Sequence, residues 1–246
     1  MANKNIWHFI KFFEQEQHAD QFMAGNLYLN TLAHFKRIES VSDDGRADST
    51  EGVAMWWQPN GLSIKLSIPG IGETEITEKD LAAPVSTSFD HHNYLHIFCL
   101  YAVYTTGFNF VGGKVECSPE DAEKLRQQLK IDERCFKFGK FAVVVNAVPF
   151  MDQIQEALKL QNHKYSWGMV RYYDEKTFHG AIPRKEIPFT KQKRFSYQQE
   201  FRICVHPKLM LDCPITINIG SISRICAKID SSRLNNHLGI QLEPAA

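Results

Sequence analysis

Paired cysteines, an excess of either charge and long apolar runs are all missing from this sequence, and each absence removes a class of protein. The six cysteines, Cys99, Cys117, Cys135, Cys204, Cys213 and Cys226, are scattered with no Cys-x-x-Cys spacing, and several sit inside apolar, strand-like runs. That distribution reads as reduced, buried thiol, not as a disulfide framework. Lys plus Arg and Asp plus Glu stand at 28 each, so no global field draws the chain to nucleic acid or an anionic membrane, while a local basic patch stays compatible with the balance. A membrane-spanning helix takes roughly 18 or more consecutive apolar residues, and none are found together here. The stretch from Met1 to Trp7 also lacks the apolar centre of a signal peptide. A soluble cytoplasmic protein is expected. G-x-G-x-x-G, Walker A, H-E-x-x-H and G-x-S-x-G sequences are absent too, which disfavours Rossmann and P-loop nucleotide binding, zinc peptidase chemistry and a serine nucleophile on an elbow.

What is present is a globular composition, 43% hydrophobic and 23% charged over 246 residues, enough chain to bury a core. No composition break divides it, so residues 1–246 are read as one domain. Apolar patterning predicts a strand over 6–13, a helix over 14–23 closed by Gly25, and an alternating strand over 26–30 with Leu27 and Leu29 on one side. Thr31 is placed to cap a helix carrying Leu32, Phe35 and Ile38. Residues 39–52 read as a polar surface loop. Strands 53–57 and 62–68 are expected to pair as a hairpin, because Asn60-Gly61 can supply the two positive φ angles of a type I′ turn. A long, central strand is expected over 94–104, and Ser118 should cap a helix from Pro119 to Leu129. Further strands are predicted over 141–146, 167–173, 215–219 and 222–229, with helices over 149–160 and 231–238. This mixed order points to an α+β fold with a largely antiparallel central sheet and flanking helices.

The densest chemistry lies within 189–205. Phe195, Tyr197, Phe201, Ile203 and Val205 share one parity, interrupted by Gln199, and Ser196, Gln198, Glu200 and Arg202 share the other. One strand through this stretch would set Gln198 and Glu200 side by side. An amide beside a carboxylate suits a sugar hydroxyl or a developing cation. An ordinary Glu200–Arg202 pair on the solvated face of a half-buried strand accounts for the same pattern. Just upstream, Arg184, Lys185, Lys191, Lys193 and Arg194 interleave with Phe189 and Phe195, which suits phosphate groups or a single-stranded nucleic acid, or else a solvated loop. Arg46, Asp48 and Glu51 could edge a site or form a local turn ended by Gly52. Asp43, Asp44, Asp48 and Glu51 are the one acidic cluster, read as a solvated loop and not as the carboxylate set of a nucleic-acid processing enzyme. His92 and His96 are four apart but lead into a β-rich run, so no metal is expected. Ser86, Thr87 and Ser88 carry hydroxyls that matter only if an arginine from an early strand and a glutamate from a late one join them in space.

The segments from Gly25 to Phe35, from Arg46 to Gly52, and from Phe189 to Arg202 resemble an uncharacterised prokaryotic and phage protein family. Its members end in a lysine, then an aromatic, then a Tyr-x-x-Glu-aromatic-Arg signature, matched here by Lys191, Phe195, Tyr197, Glu200, Phe201 and Arg202. More distantly, the order of an early strand, a helix ending in glycine, and a late Gln-x-Glu entering a strand is similar to ADP-ribosyltransferases. That similarity implies NAD as substrate, with Glu200 as the catalytic carboxylate that stabilises an oxocarbenium-like ribose and Gln198 as the group that orients the acceptor. It implies cofactor contacts from Lys191, Arg202, Arg46 and Lys11, and an unidentified macromolecular acceptor. The early strand departs from the enzymes' pattern: it lacks their usual His or Arg at the clear position, leaving His8 or Lys11 as poor stand-ins. The same polar face also suits a non-enzymatic module of a phage or defence system that binds a nucleotide or a protein partner.

Overall fold

The computed structural model describes residues 4–38 and 50–239. Strand β1 (Lys4–Phe13) buries Phe9 in one cluster and Ile10 in another, so it is covered on both faces and shows no polar alternation at its centre. Helix α1 (Glu16–Met23) buries Ala19 and Phe22. Gly25 follows with φ 94°, and a Cβ there would lie 2.0 Å from the Gly220 carbonyl oxygen. Both the left-handed turn and the close approach therefore require glycine. Strand β2 (Asn26–Thr31) alternates as expected, with Leu27 and Leu29 buried. Helix α2 (Leu32–Ile38) starts where the Thr31 hydroxyl accepts the His34 N–H at 3.2 Å.

The chain continues through β3 (Val53–Trp57), β4 (Ser63–Ile68), β5 (Gly72–Thr77), β6 (Val85–Ser88) and the long β7 (His96–Thr106). Helix α3 (Pro119–Leu129) is capped by the Ser118 hydroxyl, which accepts the Asp121 N–H at 3.1 Å. Then come β8 (Phe141–Asn146), α4 (Ala147–Leu160), β9 (Tyr165–Met169), β10 (Arg171–Tyr173), β11 (Gly180–Ala181), β12 (Thr190–Gln192), β13 (Glu200–Val205), β14 (Ile215–Asn218), β15 (Cys226–Asp230) and α5 (Leu234–His237).

Strand β7 is the hub of an eight-stranded sheet whose main path runs β14-β2-β7-β1-β8-β15. One edge of β7 is shared by β1, from Lys4↔Thr106 to Ile10↔Tyr101, and by β2 at Asn30↔Ile97 and Thr31↔His96. The other edge takes β13, from Glu200↔Tyr101 to Val205↔His96, and β13 in turn pairs β9. All pairs in this sheet are antiparallel; β10 and β12 form a separate parallel pair. The fold is thus α+β with a largely antiparallel sheet and flanking helices. One sheet face, with Phe9, Phe98, Leu100, Phe201 and Ile203, packs on Phe22 of α1 and on Phe150 and Ile154 of α4. Against the opposite face lie Leu32 and Phe189 beside Ile97 and Cys204, and Ile131, Cys135 and Leu234 beside Ile10 and Tyr101. Glu200 and Arg202 alternate with Phe201 and Ile203, so they point into this second layer.

Several expectations need correction. Strands β3 and β4 do not pair: β3 pairs β6 and β11, and β4 pairs β5 across Pro69-Gly70. Proline presets φ at the second turn position, and Gly70 at φ 81° fills the third, with Ile71 N–H reaching Ile68 at 3.0 Å. At Asn60-Gly61 only Gly61 has positive φ, 73°, so that segment makes a single turn of a different type from the expected I′. The strand expected over 167–173 is split at Val170, whose N–H bonds the Glu200 carbonyl at 2.8 Å where β13 begins. Beyond that point β13 offers no ladder, and β10 pairs β12 instead. The closing helix is a 3-10 turn (Ser231–Arg233) followed by the short α5. Among the described residues no helix is long and apolar enough to cross a membrane.

Candidate functional site

The segment read from sequence as one strand is three elements. Thr190–Gln192 is β12, Lys193–Gln198 is a 3-10 turn, and only Glu200–Val205 belongs to the sheet. Between turn and strand Gln199 sits in the left-handed region, φ 39° and ψ 46°. Gln198 and Glu200 therefore share no strand face. They meet through a third residue, because β12 delivers Lys191 between them. The Lys191 ammonium donates to Gln198 Oε1 at 3.0 Å and to Glu200 Oε2 at 3.3 Å, and its Nζ lies 3.4 Å from Glu51 Oε1.

Arg202 anchors the rest. Its Nε donates to Glu200 Oε1 at 2.7 Å, and its Nη2 reaches Glu200 Oε2 at 3.4 Å. Nη1 donates to Glu51 Oε2 at 2.8 Å and to the Pro188 carbonyl at 2.7 Å, and Nη2 also donates to Glu51 Oε1 at 2.5 Å. Every N–H of the guanidinium fork is engaged. Relative exposures are 1% for Glu51, 4% for Lys191, 5% for Glu200 and 2% for Arg202. Two carboxylates and two cations make the cluster formally neutral, as burial on this scale demands, since an unpaired buried ion costs several kcal/mol. The pairing of Glu200 and Arg202 on a solvated strand face is thereby corrected: the pair is closed inside the protein.

The electrostatics follow from that closure. Burial alone would raise the Glu200 pKa, but Arg202 and then Lys191 hold it well below the usual carboxylate range. Burial would lower Lys191, yet Glu200 and Glu51 keep it above its ordinary value. The Cys99 thiol, which hydrogen-bonds Glu200, is pushed up to about 12 by burial and by the Glu200 charge. The Tyr172 hydroxyl accepts the Glu200 backbone N–H at 2.9 Å, and burial raises its pKa as well. At neutral pH Glu200 is a carboxylate held on both sides by cations, without a proton to give.

The other candidate residues fall elsewhere. Lys11 shares the parity of Phe9 and Phe13 on β1, donates to the Cys99 carbonyl at 2.8 Å, and lies 4.6 Å from the Phe98 ring centre. Arg46, Asp43, Asp44 and Asp48 lie outside the described residues. Glu51, read from sequence as part of a solvated acidic loop, is among the most buried charged groups of the described chain. Of the basic connection, only Lys191 enters the cluster: Arg184 covers the Phe89 ring at 5.3 Å, Arg194 covers Phe195 at 4.8 Å, and Lys193 extends toward Asp174. Phe189 and Phe195 are buried and present no exposed stacking surface. Ser86, Thr87 and Ser88 lie in β6, paired to β3 in a separate sheet. His96 Nε2 is bonded to the Cys213 carbonyl at 3.0 Å, and among the described residues no group of three or more His, Cys, Asp or Glu side chains is placed to hold a metal ion.

Glu51 was legible only as a possible site edge beside Arg46 and Asp48, because its pairing depends on a partner 151 residues away. The available signal was Arg202 itself: an arginine inside an apolar strand with one adjacent carboxylate needs more acceptors than Glu200 can supply. In comparisons with protein-family models, curated proteins and solved structures, nothing matches this chain.

Proposed function

We propose that this chain is a nucleotide-binding module, and that its Glu51–Arg202–Glu200–Lys191 cluster is a structural clamp and not a centre of bond cleavage. The observation that carries this reading is the full commitment of Glu200. A carboxylate that stabilises positive charge on a ribose must face that ribose at contact distance when the charge develops. Here one oxygen is taken by Arg202 Nε and the other by Lys191 and Arg202 Nη2, so approach to a substrate requires breaking ion pairs in a region nearly free of water. Between the buried Gln198 and Glu200, Gln199 is the residue of the Gln-x-Glu step that is half-exposed. Gln199 lines a surface cavity together with Lys130 and Tyr197, and there it is open to a ligand.

A second reading, NAD cleavage with Glu200 at the ribose and Gln198 orienting an acceptor, is favoured by one observation. Gln198, Lys191, Glu200 and Arg202 converge within hydrogen-bonding reach although three elements supply them: β12, the 3-10 turn and β13. Incubating the wild type and Glu200→Gln with NAD and a cell lysate, with nicotinamide and ADP-ribose followed by chromatography, separates the two. The clamp reading expects no nicotinamide from either protein while a control enzyme turns over. Release by the wild type and not by the variant overturns it in favour of the enzyme.

A further inference from the structure

We propose that the nucleotide-binding reading has a definite site: the cavity beside Gln199, built to take a nucleoside bearing at most one phosphate. This inference rests on the nucleotide-binding reading and adds its location and ligand class. The cavity measures about 410 Å³ and is lined by Gln127, Lys130, Ile131, Asp132, Glu133, Tyr197 and Gln199, a size within the range of small-molecule sites. It lies where the end of α3, the 3-10 turn Glu133–Phe138 and the turn before β13 meet.

The walls are rigid where they need to be. Ile131 is fixed on both backbone groups by Asn235, whose Oδ1 accepts its N–H at 2.9 Å and whose Nδ2 donates to its carbonyl at 3.0 Å. Arg134 bonds Asp132 through Nε at 2.9 Å and Nη2 at 2.6 Å while its guanidinium covers the Tyr197 ring at 4.0 Å. Gln199 is the exceptional element. A non-glycine residue in the left-handed region is held at a cost, and such residues concentrate at binding sites. Its backbone is locked, with Ala102 N–H donating to its carbonyl at 3.0 Å and its own N–H reaching Ser196 at 3.2 Å. The backbone is thus spent on the turn, and Gln199, half-exposed, is one of the residues that line the cavity.

The wall chemistry selects the ligand. Of the wall's charges Asp132 is already paired with Arg134, which leaves Glu133 against Lys130, so no net charge attracts a polyanion or a cation. Ile131 and the Tyr197 ring are the only apolar surfaces lining it, too little for a lipid or an apolar peptide. What fits is a mostly neutral, flat molecule rich in hydrogen-bonding edges. An amide offers a donor and an acceptor side by side, the pattern that reads an adenine edge. A carboxylate such as Glu133 suits ribose hydroxyls, as acidic side chains do in dinucleotide sites. Lys130 is the one ammonium in the wall, suited to a single phosphate.

Titration calorimetry of the full chain with adenosine and with AMP tests the proposal, using Gln199→Gly and Lys130→Ala. Glycine adopts the left-handed turn without strain, so Gln199→Gly removes the amide and keeps the fold, as its unfolding midpoint will report. The expected result is adenosine binding weakened roughly ten-fold or more by Gln199→Gly, with Lys130→Ala weakening AMP and sparing adenosine. Adenosine bound equally by the wild type and Gln199→Gly overturns this site while leaving the nucleotide-binding reading in place elsewhere on the protein. Absence of binding for adenosine, AMP and NAD by folded wild type overturns both.

Discussion

Glu51 and Arg202 form a two-armed ion pair across 151 residues of sequence, Nη1 to Oε2 at 2.8 Å and Nη2 to Oε1 at 2.5 Å, with both side chains almost wholly shielded from water. Removing one partner strands a buried charge, which typically costs about 3–5 kcal/mol. Removing both leaves Lys191 and Glu200 balanced against each other. Glu51→Leu and Arg202→Met are therefore each expected to lower stability by roughly that amount, and the two combined by clearly less than the sum of the singles. Urea unfolding of the single and double variants checks this. Simple additivity would show that the pair acts as two independent groups.

Acid should destabilise the protein in two stages. His92 is held at about 4 by burial, with His91, Arg184, Lys36 and His206 adding to the shift, against an ordinary value of 6.5. Below pH 6.5 the unfolded chain takes up that proton first, so the contribution of neutral His92 is present above 6.5 and is lost as pH falls toward 4. Glu200 is depressed from 4.5, so its contribution is present above that value and drains away at lower pH. Midpoints of urea unfolding measured from pH 7.5 to 3 should show both declines. Burial lowers His8, His34, His96, His163 and His206 as well, so His92→Gln should reduce the upper decline without abolishing it, and an unchanged slope in that variant would exclude His92 as a contributor.

Glycines that share a positive φ should differ sharply on substitution. At Gly25 an added Cβ meets the Gly220 carbonyl at 2.0 Å, whereas at Gly70 it meets nothing within 4 Å. Gly70→Ala bears only the backbone penalty, roughly 1–2 kcal/mol. Gly25→Ala adds a clash that must push β2 from the 218–222 segment, and is expected to cost several kcal/mol. Thermal unfolding of the two variants side by side gives the comparison, and equal losses would show that the 220 segment yields freely.

The elements with local signals were legible in the sequence: β1, β7, β8 and α4 from apolar runs, α3 from Ser118 and Pro119, and α1 from its stripe and Gly25. The α+β architecture followed from their order. Less legible was any feature set by partners distant in sequence. Parity placed Gln198 on a strand with Glu200, but parity holds only while the backbone stays extended, and Gln199 reverses it. Asn60-Gly61 carried a hairpin signal as strong as any, yet β3 found better partners in β6 and β11, which bury Ala54 and Ile182 in a shared cluster. Lys191, Glu200 and Arg202 stood out as candidate site residues, but nothing local revealed that they would be sealed in with Glu51.

The placement of β1 between β7 and β8 sets the order in which this molecule can be assembled. Lys4 waits for Thr106, and Phe13 waits for Phe141. Translation proceeds at about 5–20 residues per second, so the first described strand is without both neighbours for on the order of ten seconds while the ribosome makes them. Its aromatic-rich sequence is exposed throughout that interval. The buried ions come together later still, because Arg202 must be synthesised before Glu51 has a counter-charge. Pairings this remote in sequence make for slow folding, and the interval before β8 emerges is when a chaperone would have most to hold.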